Sequence, residues 1–134
     1  MHRIRLHPEP KSALAARRFV CEELSASDEE TLEVVLLLTS EVVTNAILYA
    51  GSEIDLTVDL RRGVVRIEVS DSSSRLPKER SIDLRSTSGR GLALVDALAS
   101  SWGVERVPFD GKSVWFEVGL RTPVAHVTTA TVTD

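Results

Sequence analysis

The spacing of apolar residues predicts three helices. They recur at helical intervals over Lys11–Leu24, Asp28–Tyr49 and Gly91–Ser100. The second segment is the longest of the three. The four residues from Ser27 to Glu30 match a capping box. In this motif the side chain of the first residue accepts a hydrogen bond from the backbone amide of the fourth, and the side chain of the fourth accepts one from the backbone amide of the first. The sequence therefore predicts that the long central helix begins near Asp28.

Alternation of apolar and polar residues predicts five strands. In chain order they cover His2–Leu6, Ile54–Leu60, Val65–Ser70, Trp102–Val107 and Ser113–Leu120. The pair Arg62-Gly63 between the second and third strands is typical of a tight antiparallel hairpin. The order β-α-α-β-β-loop-α-β-β predicts an α+β fold, a two-layer α/β sandwich with the helices on one face of a mixed sheet.

Composition narrows the class of protein. A chain of 134 residues with 43% hydrophobic and 27% charged residues fits one globular domain. A net charge of −4 does not favour direct nucleic-acid binding, which usually needs a basic face. The single cysteine cannot form an internal disulfide, and no apolar run approaches the roughly 20 residues that span a bilayer. The N-terminus lacks the apolar segment of a signal peptide. We therefore expect a cytoplasmic protein without membrane contacts.

A carboxylate and an amide interrupt the apolar central helix. Glu41 and Asn45 are four residues apart, and this spacing places both side chains on one helical face. An unpaired polar group buried in such a helix costs several kcal/mol. Two interpretations remain open from this pair alone: local hydrogen bonds at the edge of the helix satisfy both groups, or the pair forms part of a ligand site.

Two further motifs point to an anion and to a purine base. Gly89-Arg90-Gly91 precedes the third helix and follows the long polar segment 72–88. Glycines let the backbone approach an anion, and a helix start offers free amides and the positive end of the helix dipole. Asp71, at the end of the third strand, can accept a hydrogen bond from an exocyclic amine such as that of adenine. Capping of a turn explains Asp71 equally well.

One tripeptide imitates a phosphate-binding loop. Gly111-Lys112-Ser113 matches the end of a P-loop motif, but the first glycine of that motif would fall at Arg106. A predicted strand follows the tripeptide, whereas a P-loop leads into a helix. We therefore reject the P-loop interpretation.

The motifs occur in one order along the chain: Glu41-x-x-x-Asn45, Asp71-x-Ser73, Gly89-Arg90-Gly91-Leu92 and Gly111-Lys112-Ser113-x-Trp115-Phe116. In this order they resemble the histidine-kinase-like ATPase superfamily, and most closely the bacterial anti-sigma-factor serine/threonine kinases. The resemblance covers nearly the whole chain to Leu120. It implies an ATP-binding domain over residues 1–120, and we expect residues 121–134 to form a flexible tail.

The resemblance also implies a role for each matching residue. Glu41 would be the general base that takes the proton from a protein serine or threonine hydroxyl. Asn45 would hold Mg²⁺, which bridges the ATP phosphates. Asp71 would read the adenine amino group, together with a water that it shares with Ser113. The remaining nucleotide contacts would come from the motif position after Asp71 and from the start of the third helix, namely Ser73, Thr87, Ser88, Gly89, Arg90, Gly91 and Leu92. Residues 76–88 would form a lid over the nucleotide.

One departure from the family pattern keeps two functions open. The residues from Ser72 to Ser74 stand where the family usually has glycine, and serine adopts positive φ less cheaply. The first function is an ATP-dependent protein kinase that sequesters a sigma factor and is released by a phosphorylatable antagonist. The second is a nucleotide-binding interaction module without catalysis. The resemblance also suggests a homodimer formed through the first strand and helix.

Overall fold

The computed structural model describes residues 1–49, 52–71, 91–107 and 111–120. These residues form, in chain order, β1 (His2–Leu6), α1 (Ser12–Glu23), α2 (Glu29–Tyr49), β2 (Ile54–Arg61), β3 (Val64–Asp71), α3 (Gly91–Leu98), β4 (Ser101–Val107) and β5 (Gly111–Gly119). The predicted helices and strands are present with small shifts at their ends. The predicted lid and the C-terminal tail lie outside the described residues.

The strands form one sheet in the order β1-β2-β3-β5-β4. Every pairing in this sheet is antiparallel. The predicted two-layer sandwich is confirmed, but the mixed sheet is not. The physical reason is the position of β5. Strand β4 runs in the same direction as β3, but β5 lies between them and is antiparallel to both.

A two-residue turn fixes the register of the central hairpin. Arg62 and Gly63 have φ values of 51° and 76°, as the two central residues of a type I′ turn require. The turn pairs Arg61 with Val64, and this register directs alternate residues of both strands toward the helices. These inward residues are buried: Ile54, Leu56, Val58, Val65, Ile67 and Val69.

The three described helices all lie on one face of the sheet. Helix α1 packs over β1 and β2, α2 over β3 and β5, and α3 over β4. The core is filled mostly by aliphatic side chains, as the low aromatic content predicts. From the helices it receives Ala16, Val20, Leu24, Val35, Leu38, Val42, Val43, Ala46, Leu92 and Val95. Since α1 and α3 lie over opposite halves of the sheet, they flank α2 on its two sides.

Helix α2 is more apolar than the sequence analysis allowed. Within the 20-residue stretch Glu29–Leu48, a window of 18 residues has a mean hydropathy of 1.6, so the helix could cross a membrane by length and composition alone. The expectation that no such run exists was therefore wrong. The same composition is typical of the central helix of a domain core, and α2 buries Val35, Leu38 and Val42 in the core of this domain.

The N-terminal cap of α2 lies one residue after the predicted one. The Thr31 amide donates to Asp28 Oδ2 at 3.0 Å, and the Leu32 amide donates to the Asp28 carbonyl at 3.0 Å. Asp28 is therefore the N-cap residue, in place of Ser27. A carboxylate at this position also interacts favourably with the positive end of the helix dipole, which a serine hydroxyl does less well.

Candidate functional site

Chain connectivity brings the ends of α2, β3 and β5 together at one end of the sheet. Helix α2 leads through a short connection into β2, whose first residue, Ile54, pairs with Asp71, the last residue of β3. Asp71 in turn pairs with Lys112, the second residue of β5. The C-terminal turn of α2, which carries Asn45, therefore lies at the same end of the sheet as Asp71.

The start of α3 lies at this end as well. Helix α3 leads into Ser101, which pairs with Glu117 at the opposite end of the sheet. Because α3 packs along β4 and ends at that far side, its first residue, Gly91, lies toward Asp71. The free amides of its first turn consequently point to the end of the sheet where Asn45 is found.

Glu41 and Asn45 face away from α1. On that side of α2, Arg17 Nη1 of α1 donates to the Ser40 hydroxyl at 3.1 Å. At about 100° per residue, Glu41 lies about 100° around the helix from Ser40, and Asn45 lies about 140° around in the same direction. Both side chains therefore lie on the side of α2 that faces α3.

Both side chains are half-buried, whereas the neighbouring Thr44 is exposed. Within the described ranges, the Glu41 carboxylate and the Asn45 amide make no hydrogen bond or ion pair with another residue. The interpretation in which local hydrogen bonds satisfy them is therefore not supported by these residues. A half-buried carboxylate and carboxamide one turn apart can instead accept a proton and ligate a hard cation.

Asp71 is enclosed by the start of β5. Its side chain lies on the helix-facing side of the sheet, and the residue is only 9% exposed. Gly111 has a φ of 91°, and a Cβ there would lie 2.0 Å from the Asp71 carbonyl oxygen and 2.9 Å from Oδ1. Only glycine lets β5 begin this close to Asp71. The glycine of the rejected P-loop tripeptide therefore has a structural role in positioning the carboxylate.

The structure does not bring the Ser113 side chain to Asp71. The prediction that these two residues share a water is therefore wrong. Ser113 pairs with Ser70, so its side chain lies on the sheet face opposite the described helices. There its hydroxyl donates to the Glu68 carboxylate. Lys112 occupies the helix-facing position opposite Asp71 instead. Sequence reasoning missed Lys112, although the alternation of Val114, Phe116 and Val118 could have shown which residues of β5 face the helices.

The start of α3 contributes its backbone to the candidate site. Leu92 is 6% exposed, and its side chain packs in the core, which fixes the first turn of the helix. The backbone of Gly91 is the first of α3. The other residues predicted for the nucleotide contacts lie outside the described residues: Ser73, Thr87, Ser88, Gly89 and Arg90.

The open face of the sheet holds the remaining motif residue, Trp115, away from this site. Arg66 lies over the Trp115 ring at 4.1 Å from its centroid, and Arg66 Nη1 is 3.2 Å from Glu117 Oε2. The indole rests on Gly103, where a Cβ would come within 2.9 Å of the Trp115 side chain. Trp115 therefore has a packing role.

The donor set of the site suits magnesium better than zinc. In the described part of the chain, no three His, Cys, Asp or Glu side chains come together as a metal site. The available protein ligands are the oxygens of Asn45 and Glu41. Magnesium is commonly bound by one or two such oxygens together with substrate phosphates and waters. The residues present therefore fit a metal that arrives with a nucleotide.

Comparisons with known proteins bear on the family and on the fold. The sequence pattern described as the histidine kinase-like ATPase domain matches residues 6–117. The fold is similar to that in the crystal structure of the RsbU and RsbW domains of Rv1364c from Mycobacterium tuberculosis. That match has a TM-score of 0.68 and 22% identity, and it covers 96% of this chain and 35% of that one. No curated protein matches the sequence significantly.

A second solved structure has a similar fold. Full-length ShkA in complex with AMPPNP matches with a TM-score of 0.52 and 21% identity, over 83% of this chain and 30% of that one. The chain thus spans about a third of the length of each of these two proteins. At this level of identity, both matches show a shared fold.

Proposed function

The chain belongs to the histidine kinase-like ATPase domain family, and on this premise we propose that it is an ATP-binding anti-sigma factor that phosphorylates its antagonist. The observation that carries the proposal is the half-buried pair on α2. Glu41 and Asn45 face α3 and have no partner within the described ranges. In a family of ATPase domains, a base and a metal ligand one turn apart suit the transfer of a phosphoryl group.

Three parts of the described site would bind the nucleotide. The Asn45 amide oxygen would hold Mg²⁺, which supplies positive charge to the phosphates when bound. Asp71, enclosed by Gly111, would accept a hydrogen bond from the exocyclic amine of adenine. The first amides of α3, beginning at Gly91 and Leu92, would donate to the phosphate oxygens.

Glu41 would act on the protein substrate. The oxygen of a serine or threonine hydroxyl forms a bond to the γ-phosphorus, and the bond from that phosphorus to the β–γ bridging oxygen breaks. The hydroxyl proton passes to the Glu41 carboxylate, and ADP leaves. The helix contributes mainly positioning, because it holds the base and the metal ligand on one face.

We expect the chain to act in the cytoplasm with two protein partners. One partner is a sigma factor that the chain sequesters, and the other is an antagonist that releases it and is phosphorylated on serine or threonine. These partners follow from the family resemblance. The similarity to a structure that holds an RsbW domain is consistent with them at the level of fold.

Phosphotransfer tests the catalytic part of the proposal. Purified chain, γ-labelled ATP and a cytoplasmic extract of the source organism should yield a small protein labelled on serine or threonine. Glu41→Gln should slow this labelling at least about 100-fold, as for loss of a general base, yet bind Mg-ATP as the wild type does. Glu33→Gln is the matched control, because Glu33 is an exposed glutamate of the same helix.

Two results would reject parts of the proposal. Unchanged labelling by the Glu41→Gln variant would remove Glu41 as the base. Tight Mg-ATP binding by the wild type without any labelled protein would favour the second function, a nucleotide-binding interaction module without catalysis.

We also propose a homodimer through β1 and α1. Leu14 is 54% exposed on α1, and Arg18 and Cys21 lie on the same exposed face. Light scattering of the 14.7 kDa chain should give twice the monomer mass. Leu14→Asp should reduce it to the monomer mass, and a variant that stays dimeric would place the interface elsewhere.

A further inference from the structure

Two exposed leucines flank Glu41 on the outer side of α2. Leu37 is 39% exposed and lies one turn before Glu41, whereas Leu48 is 59% exposed and lies two turns after it. At about 100° per residue, both side chains lie within about 40° of Glu41 around the helix axis. The carboxylate of the proposed base therefore stands in a strip whose two ends are apolar.

Neither leucine is needed to fill the core. Their chain neighbours Leu36 and Ile47 pack against the core instead. Single exposed leucines are common on protein surfaces and by themselves require no explanation. Here, however, two of them stand beside the group that has to contact a protein substrate, and a segment that covered them would gain their apolar surface on binding.

The helices around Glu41 carry acidic charge only. Helices α2 and α3 contain four glutamates and one aspartate but no lysine or arginine, although the chain has 16 of these basic residues. Charge complementarity therefore favours a partner segment that is basic or uncharged over one that is acidic.

The spacing along α2 suits an extended segment. At about 1.5 Å per residue, Leu37 lies about 6 Å from Glu41 along the helix axis, and Leu48 lies about 10 Å from it on the other side. Side chains two positions apart in an extended segment point to the same side and are about 7 Å apart. A segment that brings its hydroxyl to Glu41 therefore places the side chain two positions away over Leu37, and its other flank reaches Leu48.

We propose that Leu37 and Leu48 are the docking residues for the phosphoacceptor segment of the antagonist protein. The segment is extended, carries an aliphatic side chain two positions from its serine or threonine and has no acidic residue beside it. The two leucines bind the segment and take no part in the transfer of the phosphoryl group. This inference rests on the proposed function, because it requires that Glu41 meets a protein hydroxyl.

The simpler alternative is that both leucines are ordinary exposed residues. The two roles differ in their effect on kinetics. Loss of a docking residue weakens the binding of substrate and transition state equally, so that KM rises and kcat is unchanged. Loss of an ordinary exposed leucine changes neither constant.

The probe is the protein that the wild-type chain labels in cytoplasmic extract, purified and with its labelled residue identified by mass spectrometry. Its phosphorylation at saturating Mg-ATP is compared for the wild type, Leu37→Ala and Leu48→Ala, in which alanine preserves the helix. Each variant should raise KM for the probe about tenfold, as for the loss of buried leucine surface. Both kcat and the affinity for Mg-ATP should be unchanged.

A matched control and a change in the probe complete the design. Leu60 is 51% exposed but pairs with Val65 beside the Arg62-Gly63 turn, at the opposite end of the sheet from Asp71. Leu60→Ala should therefore phosphorylate the probe as the wild type does. Alanine in place of the aliphatic residue two positions from the labelled one should raise KM about as much as Leu37→Ala, and the two changes together should add little further.

An unchanged KM in Leu37→Ala would overturn the docking role and leave Glu41 as the proposed base. A probe without an aliphatic residue two positions from the labelled one would also overturn it. Weaker binding of Mg-ATP by Leu37→Ala would assign the leucine to the structure of the nucleotide site instead. Failure of the wild type to label any protein would reject the proposed kinase function, and the docking role with it.

Discussion

Replacing Gly111 with alanine tests how closely β5 begins against Asp71. The new Cβ would lie 2.0 Å from the Asp71 carbonyl oxygen, a backbone atom that cannot turn away as a flexible side chain can. The residue would also keep a φ of 91°, which L residues rarely adopt. We therefore expect both a loss of stability and a displaced Asp71 carboxylate.

The loss of stability has two contributions, one from the positive φ of the residue and one from the close contact of its Cβ. Positive φ alone costs alanine about 1–2 kcal/mol, and the stiffer unfolded chain offsets about 0.4–1 kcal/mol of this. Overpacking against a rigid neighbour typically adds about 1–3 kcal/mol. At their central values these terms predict that Gly111→Ala lowers the free energy of unfolding by about 3 kcal/mol. At about 4 °C per kcal/mol for a chain of this size, Tm should fall by about 12 °C.

Two other glycines of the chain provide matched controls. Gly63 has a φ of 76°, and no atom lies within 4 Å of the point that its Cβ would occupy, so Gly63→Ala measures the backbone effect alone, about 1 kcal/mol. Gly119 has open space and no positive φ, so Gly119→Ala should be close to neutral. Urea denaturation and thermal melts of the three variants, with Mg-ATP titrations, make the assay. A Gly111→Ala variant as stable as Gly63→Ala would refute the close contact with Asp71.

Three further predictions concern stability. Arg62→Asn should raise the free energy of unfolding by about 0.5–1 kcal/mol, because Asn-Gly suits a type I′ turn better; a lower Tm would contradict the turn assignment. Asp28→Ala should lower it by about 1 kcal/mol in urea denaturation, whereas Ser27→Ala should change it little; the reverse order would restore the cap predicted from sequence. Gly103→Ala should lower it by about 1–3 kcal/mol and shift the tryptophan fluorescence, because its Cβ would displace the Trp115 indole; unchanged emission would refute that contact.

Hydrophobic periodicity was sufficient to predict the helices, the strands and the two-layer arrangement. The period of α2 and the alternation in β2 and β3 are unambiguous, because one side of each element is buried in a single core. The pairing of strands depends on contacts between distant residues. The local sequence could not show that β5 lies between β3 and β4, and the predicted mixed sheet is antiparallel for this reason.

The candidate site was predictable where it lies on α2 and less so on β5. The spacing of Glu41 and Asn45 places both on one face of a helix, whatever its exact ends. In a strand, a shift of one residue changes the face on which a side chain lies. Trp115 interrupts the apolar alternation of β5 because it packs on the open face. Ser113 was therefore assigned to the site that Lys112 faces.

Calorimetry of Mg-ATP binding tests the central claim most directly, with Asn45→Ala compared with the wild type. Thr44→Ala is the control, because Thr44 is the exposed neighbour about 100° around the helix. We predict that the wild type and Thr44→Ala bind Mg-ATP equally, and that Asn45→Ala binds at least about tenfold more weakly because it loses its metal ligand. Equal affinity of Asn45→Ala and the wild type would contradict the claim that α2 presents a metal ligand to a bound nucleotide.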